Sequence, residues 1–291
     1  MKCWHALEVR VPPSLRDLAL ALLAEAPITG IEEDVEDPGR LTAYAARPWD
    51  VVGWTERIRA LAGSDAPAAV RGYEVAEEDW LRRWKEGWSP TPLGESLVAV
   101  PAWWEGPLPG DRRPVRIDPG TAFGTGTHAT TALAWELLEP CLPGARWLLD
   151  VGTGTGILAL GALTLVPGLL AVGTEADPLA VVSARANREA NPETAARLHL
   201  VLAREVPVHP SGFDLVAANL TEAEAAAVRE ELCRALAPGG RLVLGGYLEE
   251  QARASEPGWR ELGLSLEERR VRDGWAAMRW RRGSGGGEGG R

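Results

Sequence analysis

The second half of the chain alternates between short apolar stretches and longer amphipathic ones. The short stretches predict strands at 146–151, 169–175, 198–203, 213–218, 240–246, 264–272 and 275–281. The amphipathic stretches predict helices at 156–166, 178–191 and 222–236. Strands that alternate with helices are typical of a doubly wound α/β sheet, here with seven strands. Because the last two strands are close in sequence, we expect them to form an antiparallel hairpin at the sheet edge.

The first 75 residues show a different order of elements. A strand is predicted over 3–11, and Pro12-Pro13 then leads into a helix over 14–26 that Ser14 would cap. The remaining predicted elements are strands at 30–36 and 41–46, a helix at 49–62 and a strand at 69–75. Strand-helix-strand-strand-helix-strand is the order of a small ferredoxin-like α+β domain.

A charged segment separates these two regions. Residues 77–88 predict a helix whose three tryptophans, Trp80, Trp84 and Trp88, are spaced four apart and so share one face. That face is either a packing stripe or an aromatic platform for a partner. The predicted organisation is a small α+β domain at 1–75, a linker helix and junction at 76–100, the α/β domain at 101–282 and a disordered glycine-rich tail at 283–291.

Composition narrows the class of protein. The net charge of −10 over 291 residues argues against direct nucleic-acid binding by the surface as a whole. Three isolated cysteines and four scattered histidines favour neither a disulfide framework nor a metal site. Because no apolar run is long enough to span a membrane, we expect no membrane association and a cytoplasmic protein.

The segment LLDVGTGTGIL, residues 148–158, carries the first chemical signal. A strand runs into a Gly-x-Gly-x-Gly turn (Gly152, Gly154 and Gly156) and then into a helix, an arrangement that holds a nucleoside cofactor. Glu175, at the end of the next strand, is placed to accept hydrogen bonds from ribose hydroxyls. Nicotinamide dinucleotides and S-adenosylmethionine (AdoMet) are both compatible with this pattern.

Three features favour AdoMet. Asp150 precedes the glycine turn, where it can interact with the methionine part of the cofactor. Asn219 ends the fourth strand and delivers an amide to the same sheet edge, although it can equally cap the following helix. The predicted terminal hairpin is the third feature. An NAD(P)-binding oxidoreductase remains a remote alternative.

A second glycine-rich segment, DPGTAFGTGTHATT at residues 118–131, is rarer. It resembles the PrmA family, the methyltransferases of ribosomal protein L11, in which a DPGxAFGTGxHxTT segment covers the AdoMet pocket. DVGTGTGIL, Asp177-Pro178 and AANL match that family in order and spacing, and EEDWLRRWKEGW at residues 77–88, followed by a strand, resembles the family's linker helix. The resemblance therefore covers about residues 77–282. It implies a class I AdoMet-dependent methyltransferase with a Rossmann-like seven-stranded sheet.

The resemblance places the family's AdoMet ligands at Thr131, Gly152, Glu175 and Asn219. Glu175 departs from the usual Asp, and the sequence at 245–248 departs from the usual Ser-Gly-Ile near the substrate. The expected cofactor-binding residues are Phe123, Gly124, Thr125, Gly126, Thr131, Asp150, Gly152, Gly154, Gly156, Glu175 and Asn219.

The implied reaction is methylation of lysine side-chain and/or N-terminal amines of ribosomal protein L11, with S-adenosylhomocysteine as product and no metal. Asn219 would position the amine. His128 would act either as a general base or as a structural residue of the glycine segment. A related protein-lysine methyltransferase, acting on another protein such as an electron-transfer flavoprotein subunit, is the alternative.

Overall fold

A computed structural model describes residues 3–24, 26–28, 30–34, 37, 39–62, 69–76, 88–118, 122–204, 206 and 211–284. The chain divides into two compact units, Met1–Trp88 and Ser89–Arg291. The predicted helix at 77–88 lies outside the described residues except for Trp88, and the tail lies outside them from residue 285 onward.

Unit 1 has the predicted order of elements. These are β1 (Cys3–Arg10), α1 (Arg16–Ala24), β2 (Gly30–Glu33), β3 (Arg40–Ala45), α2 (Val51–Ala62) and β4 (Ala69–Ala76). The sheet order is β2-β3-β1-β4, and every described pairing is antiparallel, which confirms the ferredoxin-like prediction. A 3-10 turn at Pro13–Leu15 precedes α1, so the helix begins after Ser14 rather than being capped by it.

Unit 1 has its own apolar core, because both helices pack an apolar face against the sheet. Leu7 and Val9 of β1 are fully buried together with Leu23 of α1 and Ile58 of α2. The remaining face of the sheet is not part of this cluster.

Unit 2 begins with a small sheet of β5 (Thr91–Leu93), β6 (Leu97–Pro101) and β7 (Arg113–Ile117). β6 pairs with β5 in antiparallel and with β7 in parallel orientation, so β7 is an edge strand of this sheet. Sequence analysis expected a strand after the linker helix but not this sheet.

A seven-stranded sheet follows. Its strands are β8 (Trp147–Val151), β9 (Leu170–Glu175), β10 (Leu198–Leu202), β11 (Phe213–Asn219), β12 (Leu236–Leu248), β13 (Leu264–Arg272) and β14 (Trp275–Arg282). The helices are α3 (Ala129–Leu138), α4 (Ile157–Leu165), α5 (Pro178–Ala190), α6 (Pro192–Ala195), α7 (Glu222–Ala227), α8 (Arg229–Ala235) and α9 (Glu249–Glu261).

The strand order is β10-β9-β8-β11-β12-β14-β13, with β14 antiparallel to both neighbours. This confirms the doubly wound sheet and its closing hairpin. The predicted helix at 222–236 is divided at Val228, and α9 was not predicted. Pro257 and Gly258 lie inside α9. Because these residue types normally end helices, the sequence pattern did not predict a helix here.

The order in which strands are added to the sheet reverses between β8 and β11, because β9 and β10 extend the sheet on one side of β8 and β11 lies on the other side. In open parallel sheets, ligands bind in the crevice at the carboxyl ends of the strands where this reversal occurs. Apolar clusters cover both faces of the sheet. Among the described helices, none combines the length and the apolar character needed to cross a membrane.

Gly161 tests how tightly α4 packs. A Cβ at this position would lie 2.7 Å from Leu97 Cδ1 and 2.9 Å from Trp135 Cζ3, both on fully buried side chains. Overpacking costs about 1–3 kcal/mol, against about 1 kcal/mol gained in helix propensity. We therefore expect Gly161→Ala to lower the denaturant midpoint of unfolding. Gly168→Ala is the control, because a Cβ there would meet no atom within 4 Å; an equal midpoint for both variants would contradict the tight packing.

Candidate active site

A cavity of about 400 Å³ lies at the carboxyl ends of β8, β9 and β11, within the range of about 300–1,000 Å³ typical of small-molecule sites. Gly152 and Gly154 follow β8, Glu175 ends β9, and Asn219 ends β11. The three strands are adjacent and parallel, so residues far apart in sequence meet at one edge.

The glycine turn after β8 requires glycine for two reasons. Gly152 and Gly154 have φ angles of +66° and +55°, in the left-handed region that side chains disfavour. A Cβ on Gly152 would overlap the Leu220 side chain, and a Cβ on Gly154 would overlap the carbonyl oxygen of Phe123. The backbone of the turn therefore packs against Leu220 on one side and Phe123 on the other, and it also lines the cavity.

Asp150 stabilises the glycine turn from a buried position outside the cavity lining. Its carboxylate is 1% exposed and accepts hydrogen bonds from Thr153 Oγ1 at 2.7 Å and from the Ala159 backbone N–H at 3.3 Å. Burial raises the pKa of Asp150 to about 6, although these two hydrogen bonds oppose the shift. Asp150 is not among the residues that line the cavity. The carboxylate holds the glycine turn to the start of α4.

Glu175 lines the cavity and is bound to the chain at the same time. Its Oε2 accepts from the Gly154 N–H at 2.9 Å, while Oε1 accepts from the Ala176 N–H at 2.8 Å and the Asp177 N–H at 3.1 Å. Each carboxylate oxygen has about two acceptor sites, so Oε2 retains one for a ligand. The longer glutamate thus spans β9, the next turn and the glycine turn.

The described part of the other glycine-rich segment docks on this turn. The Thr155 N–H donates to Phe123 O at 3.0 Å, and the Thr155 hydroxyl donates to Gly124 O. Gly126 lies against Ile157 at the start of α4. Pro119, Gly120 and Thr121 of the predicted segment lie outside the described residues.

His128 is the N-cap of α3. Its Nδ1 accepts from the Thr130 N–H at 3.3 Å and lies 2.8 Å from the Thr130 hydroxyl. Because Nδ1 accepts a backbone hydrogen bond, the neutral ring carries its proton on Nε2. The ring also makes edge contacts with Phe123 at 5.4 Å and with Trp275 at 5.3 Å between centroids. Three rings therefore form one wall of the cavity.

Asn219 has a buried acceptor without a partner. Its Nδ2 lies 3.5 Å from the Thr131 hydroxyl oxygen, to which it donates, but Oδ1 accepts no hydrogen bond from any described residue. Leaving a buried polar atom unpaired costs about 1–3 kcal/mol. Among the side chains of the cavity, Asn219 is therefore the one that a hydrogen-bond donor would stabilise most.

The predicted site residues divide into two groups. Phe123, Gly152, Gly154, Glu175 and Asn219 line the cavity, as does His128. The other predicted cofactor-binding residues do not line it and instead surround or support it: Gly124, Thr125, Gly126, Thr131, Asp150 and Gly156. Whether either group contacts a cofactor remains a prediction.

Sequence analysis missed other lining residues. Thr221 and Glu224 form a capping box at α7, which the T-x-x-E spacing could have revealed. Trp275 reaches the cavity from the hairpin, and no local signal marks it. Glu224 joins Glu175 and Asp177 as lining carboxylates, and none of the described lining residues is Lys or Arg. The cavity is therefore suited to a cationic ligand.

Comparison with known proteins identifies relatives over most of the chain. The family model described as ribosomal protein L11 methyltransferase (PrmA) matches residues 21–283. The ribosomal protein L11 methyltransferase of Chromohalobacter salexigens is 37% identical over 255 residues, covering 87% of this chain and 81% of that protein. The protein of the same name from Geobacter metallireducens is 34% identical over a 305-residue alignment, covering 97% and 99%.

A solved structure is also similar. The crystal structure of ribosomal protein L11 methylase from Lactobacillus delbrueckii subsp. bulgaricus aligns with a TM-score of 0.61 and 26% identity. The alignment covers 67% of this chain and 100% of that one.

The buried Asp150 predicts a pH dependence of stability. Its pKa is about 6 in the folded chain and about 3.9 when unfolded, so the unfolded chain loses the proton first. The protonated Asp150 carboxyl group stabilises the folded chain relative to the unfolded one. This contribution is fully present below about pH 4 and is lost as the pH rises to about 6. Relative to Asp150→Asn, the unfolding free energy should fall by on the order of 3 kcal/mol across this window. Urea denaturation at stepped pH measures it, and parallel curves for the two chains would contradict it.

Proposed function

Because the chain belongs to the PrmA family of ribosomal protein L11 methyltransferases, we propose that it transfers methyl groups from AdoMet to lysine side-chain and/or N-terminal amines of L11. The observation that carries the proposal is one cavity lined by the glycine turn, Glu175 and Asn219, whose buried Oδ1 accepts no hydrogen bond from the described residues. S-Adenosylhomocysteine is the product, and the reaction uses no metal.

The residues of the cavity fit AdoMet. The backbone of Gly152 and Gly154, which lines the cavity, can approach the cofactor closely, and the remaining acceptor site of Glu175 Oε2 suits a ribose hydroxyl. AdoMet supplies a methyl group that its positive sulfonium already activates. The three lining carboxylates match both this cation and the ammonium group of a lysine.

Asn219 positions the amine in this proposal. Its unpaired Oδ1 accepts a hydrogen bond from the incoming nitrogen, while its Nδ2 stays with Thr131. A lysine has a pKa of about 10.4, so its deprotonation at pH 7 costs about 4–5 kcal/mol. Proximity and orientation can contribute about 7–11 kcal/mol, so positioning outweighs this cost without a strong general base. Solvent takes the proton.

His128 serves this site as a structural residue. Its Nδ1 is engaged in capping α3, and its ring is held between Phe123 and Trp275. A base that used Nδ1 would lose the cap, which contributes about 1 kcal/mol in typical helices. The arrangement therefore favours a structural role for His128, as the cap of α3 and part of the cavity wall, rather than a role as proton acceptor.

Unit 1 would recognise the protein substrate. The boundaries proposed for this division of labour are 1–75 for recognition, 76–100 for the linker and junction, and 101–282 for methyl transfer. In this proposal, a docking domain separate from the active site would let several amines of one substrate reach the cavity in turn. The proposed setting is the cytoplasm, without direct contact to nucleic acid or membrane.

Mass spectrometry tests the substrate directly. Purified L11 incubated with the chain and AdoMet should gain mass in multiples of one methyl group on its amines. An electron-transfer flavoprotein incubated in parallel distinguishes the alternative target. Methylation of that protein but not of L11 would overturn the assignment.

Asn219→Ala should lower kcat by about 100-fold, the order expected when a reacting group is misplaced. The Kd for AdoMet should change less than about threefold, because the turn and Glu175 remain. Thr131→Val is the matched variant: it removes the partner of Nδ2 but keeps Oδ1, and it should lower kcat by only about tenfold. Calorimetry and steady-state kinetics measure both values. Equal losses in kcat and AdoMet affinity in Asn219→Ala would refute the role.

Deletion of residues 1–75 should abolish methylation of L11 and leave AdoMet binding within about threefold of the full chain. Calorimetric binding of the cofactor also reports that the remaining unit is folded. Retained methylation of L11 by the truncated chain would remove unit 1 from substrate recognition.

A further inference from the structure

Two buried asparagines connect α5 with the small sheet. Asn187 and Asn191 are 0% and 1% exposed. They are spaced four apart, so their side chains point from the same face of the helix and its end. Neither asparagine lines the cavity, and sequence analysis singled out neither.

Asn191 pairs with the backbone of Arg116 in β7. The Arg116 N–H donates to Asn191 Oδ1 at 2.9 Å, and Asn191 Nδ2 donates to Arg116 O at 2.7 Å. The same Nδ2 also donates to Asn187 O at 2.7 Å. The amide thus acts on the edge strand as the next strand of a sheet would.

Asn187 makes the equivalent pair with Asp118, which lies two residues after Arg116 and directly follows the end of β7. The Asp118 N–H donates to Asn187 Oδ1 at 2.6 Å, and Asn187 Nδ2 donates to Asp118 O at 3.2 Å. Four helical residues rise about 6 Å, close to the roughly 6.6 Å of two strand residues. This match lets two side chains of one helix pair with alternate residues of one strand edge.

Only Asn187 also reaches the glycine turn. Its Nδ2 donates to Thr155 O at 2.9 Å. Thr155 itself donates to Phe123 O and Gly124 O. Asp118 begins the segment that contains Phe123, and Thr155 belongs to the glycine turn. The Asn187 amide therefore donates hydrogen bonds to both glycine-rich segments.

We infer that Asn187 is a positioning residue that fixes the glycine turn and the described part of the 118–131 segment in their docked arrangement before any cofactor binds. The cofactor then meets a preformed site, which lowers the entropic cost of binding. As far as it concerns AdoMet, this inference rests on the proposed function. Asn191 holds the same helix to the same strand but does not contact the turn.

The test compares Asn187→Asp with Asn191→Asp at pH 8. Each change replaces a donating Nδ2 by an oxygen that faces two carbonyl oxygens, so each should lower the thermal midpoint to a similar degree. Only Asn187→Asp should accelerate backbone hydrogen exchange at Thr155 and raise the Kd for AdoMet by tenfold or more. Its kcat at saturating cofactor should stay within threefold, because Asn219 is untouched. Asn191→Asp should leave Kd and exchange within threefold.

Asn187→Leu and Asn191→Leu, which remove the amides without adding charge, repeat the comparison if an aspartate variant does not fold. Equal effects of the two positions on Thr155 exchange would overturn the inference, since that measurement needs no cofactor. Failure of the unsubstituted chain to bind AdoMet would instead overturn the proposed function.

Discussion

The contact between Gly154 and Phe123 is the constraint on which the site depends. The backbones of two separate glycine-rich segments meet there, and any side chain at 154 would overlap the Phe123 carbonyl. The next residue, Thr155, then closes the contact with hydrogen bonds from its amide and its hydroxyl. Glycine at 154 is therefore needed for this docking as well as for close approach of a ligand.

Polar groups behind the cavity hold this contact in place. Asp150 binds the turn to α4, and Asn187 binds the turn to the start of the other segment. Both side chains are buried, where an unsatisfied polar group is costly. The cost is offset because every oxygen and nitrogen used here meets a backbone group or Thr153. Asn219 Oδ1 is different, since it is buried and unpaired. The satisfied groups hold the docked arrangement, and the Oδ1 of Asn219, which no described residue satisfies, is the acceptor proposed for the amine.

Sequence patterns predicted the sheet because its strands are buried, and buried strands appear in the sequence as short apolar stretches. The end of β9 and the end of β11 could therefore be placed, and with them Glu175 and Asn219. Patterns failed where tertiary packing overrides local preference. Pro257 and Gly258 predict a break inside α9, yet the helix continues through both and buries Trp259.

The same reasoning explains why some predicted site residues line the cavity and others only surround it. A motif shows which residues belong together, but not which of them face the ligand. Asp150 and Glu175 both lie at strand ends, yet one is buried against α4 while the other lines the cavity. Trp275 lies at the cavity only because the hairpin returns to it, and that depends on the pairing of β12 with β14.

Charge links the construction of the site with its chemistry. The lining carboxylates are held by backbone N–H groups rather than by Lys or Arg: Glu175 binds the turn, and Glu224 binds the Thr221 N–H as a helix cap. A cationic partner side chain would neutralise each carboxylate, whereas an N–H dipole fixes it and leaves its charge uncompensated. The cavity therefore keeps a negative potential, which in the proposed reaction would attract both the sulfonium of AdoMet and the ammonium group of a lysine despite their like charge. In the proposed reaction, the carboxylates would bring the two cations together, and Asn219 would aim the nitrogen once it has lost its proton.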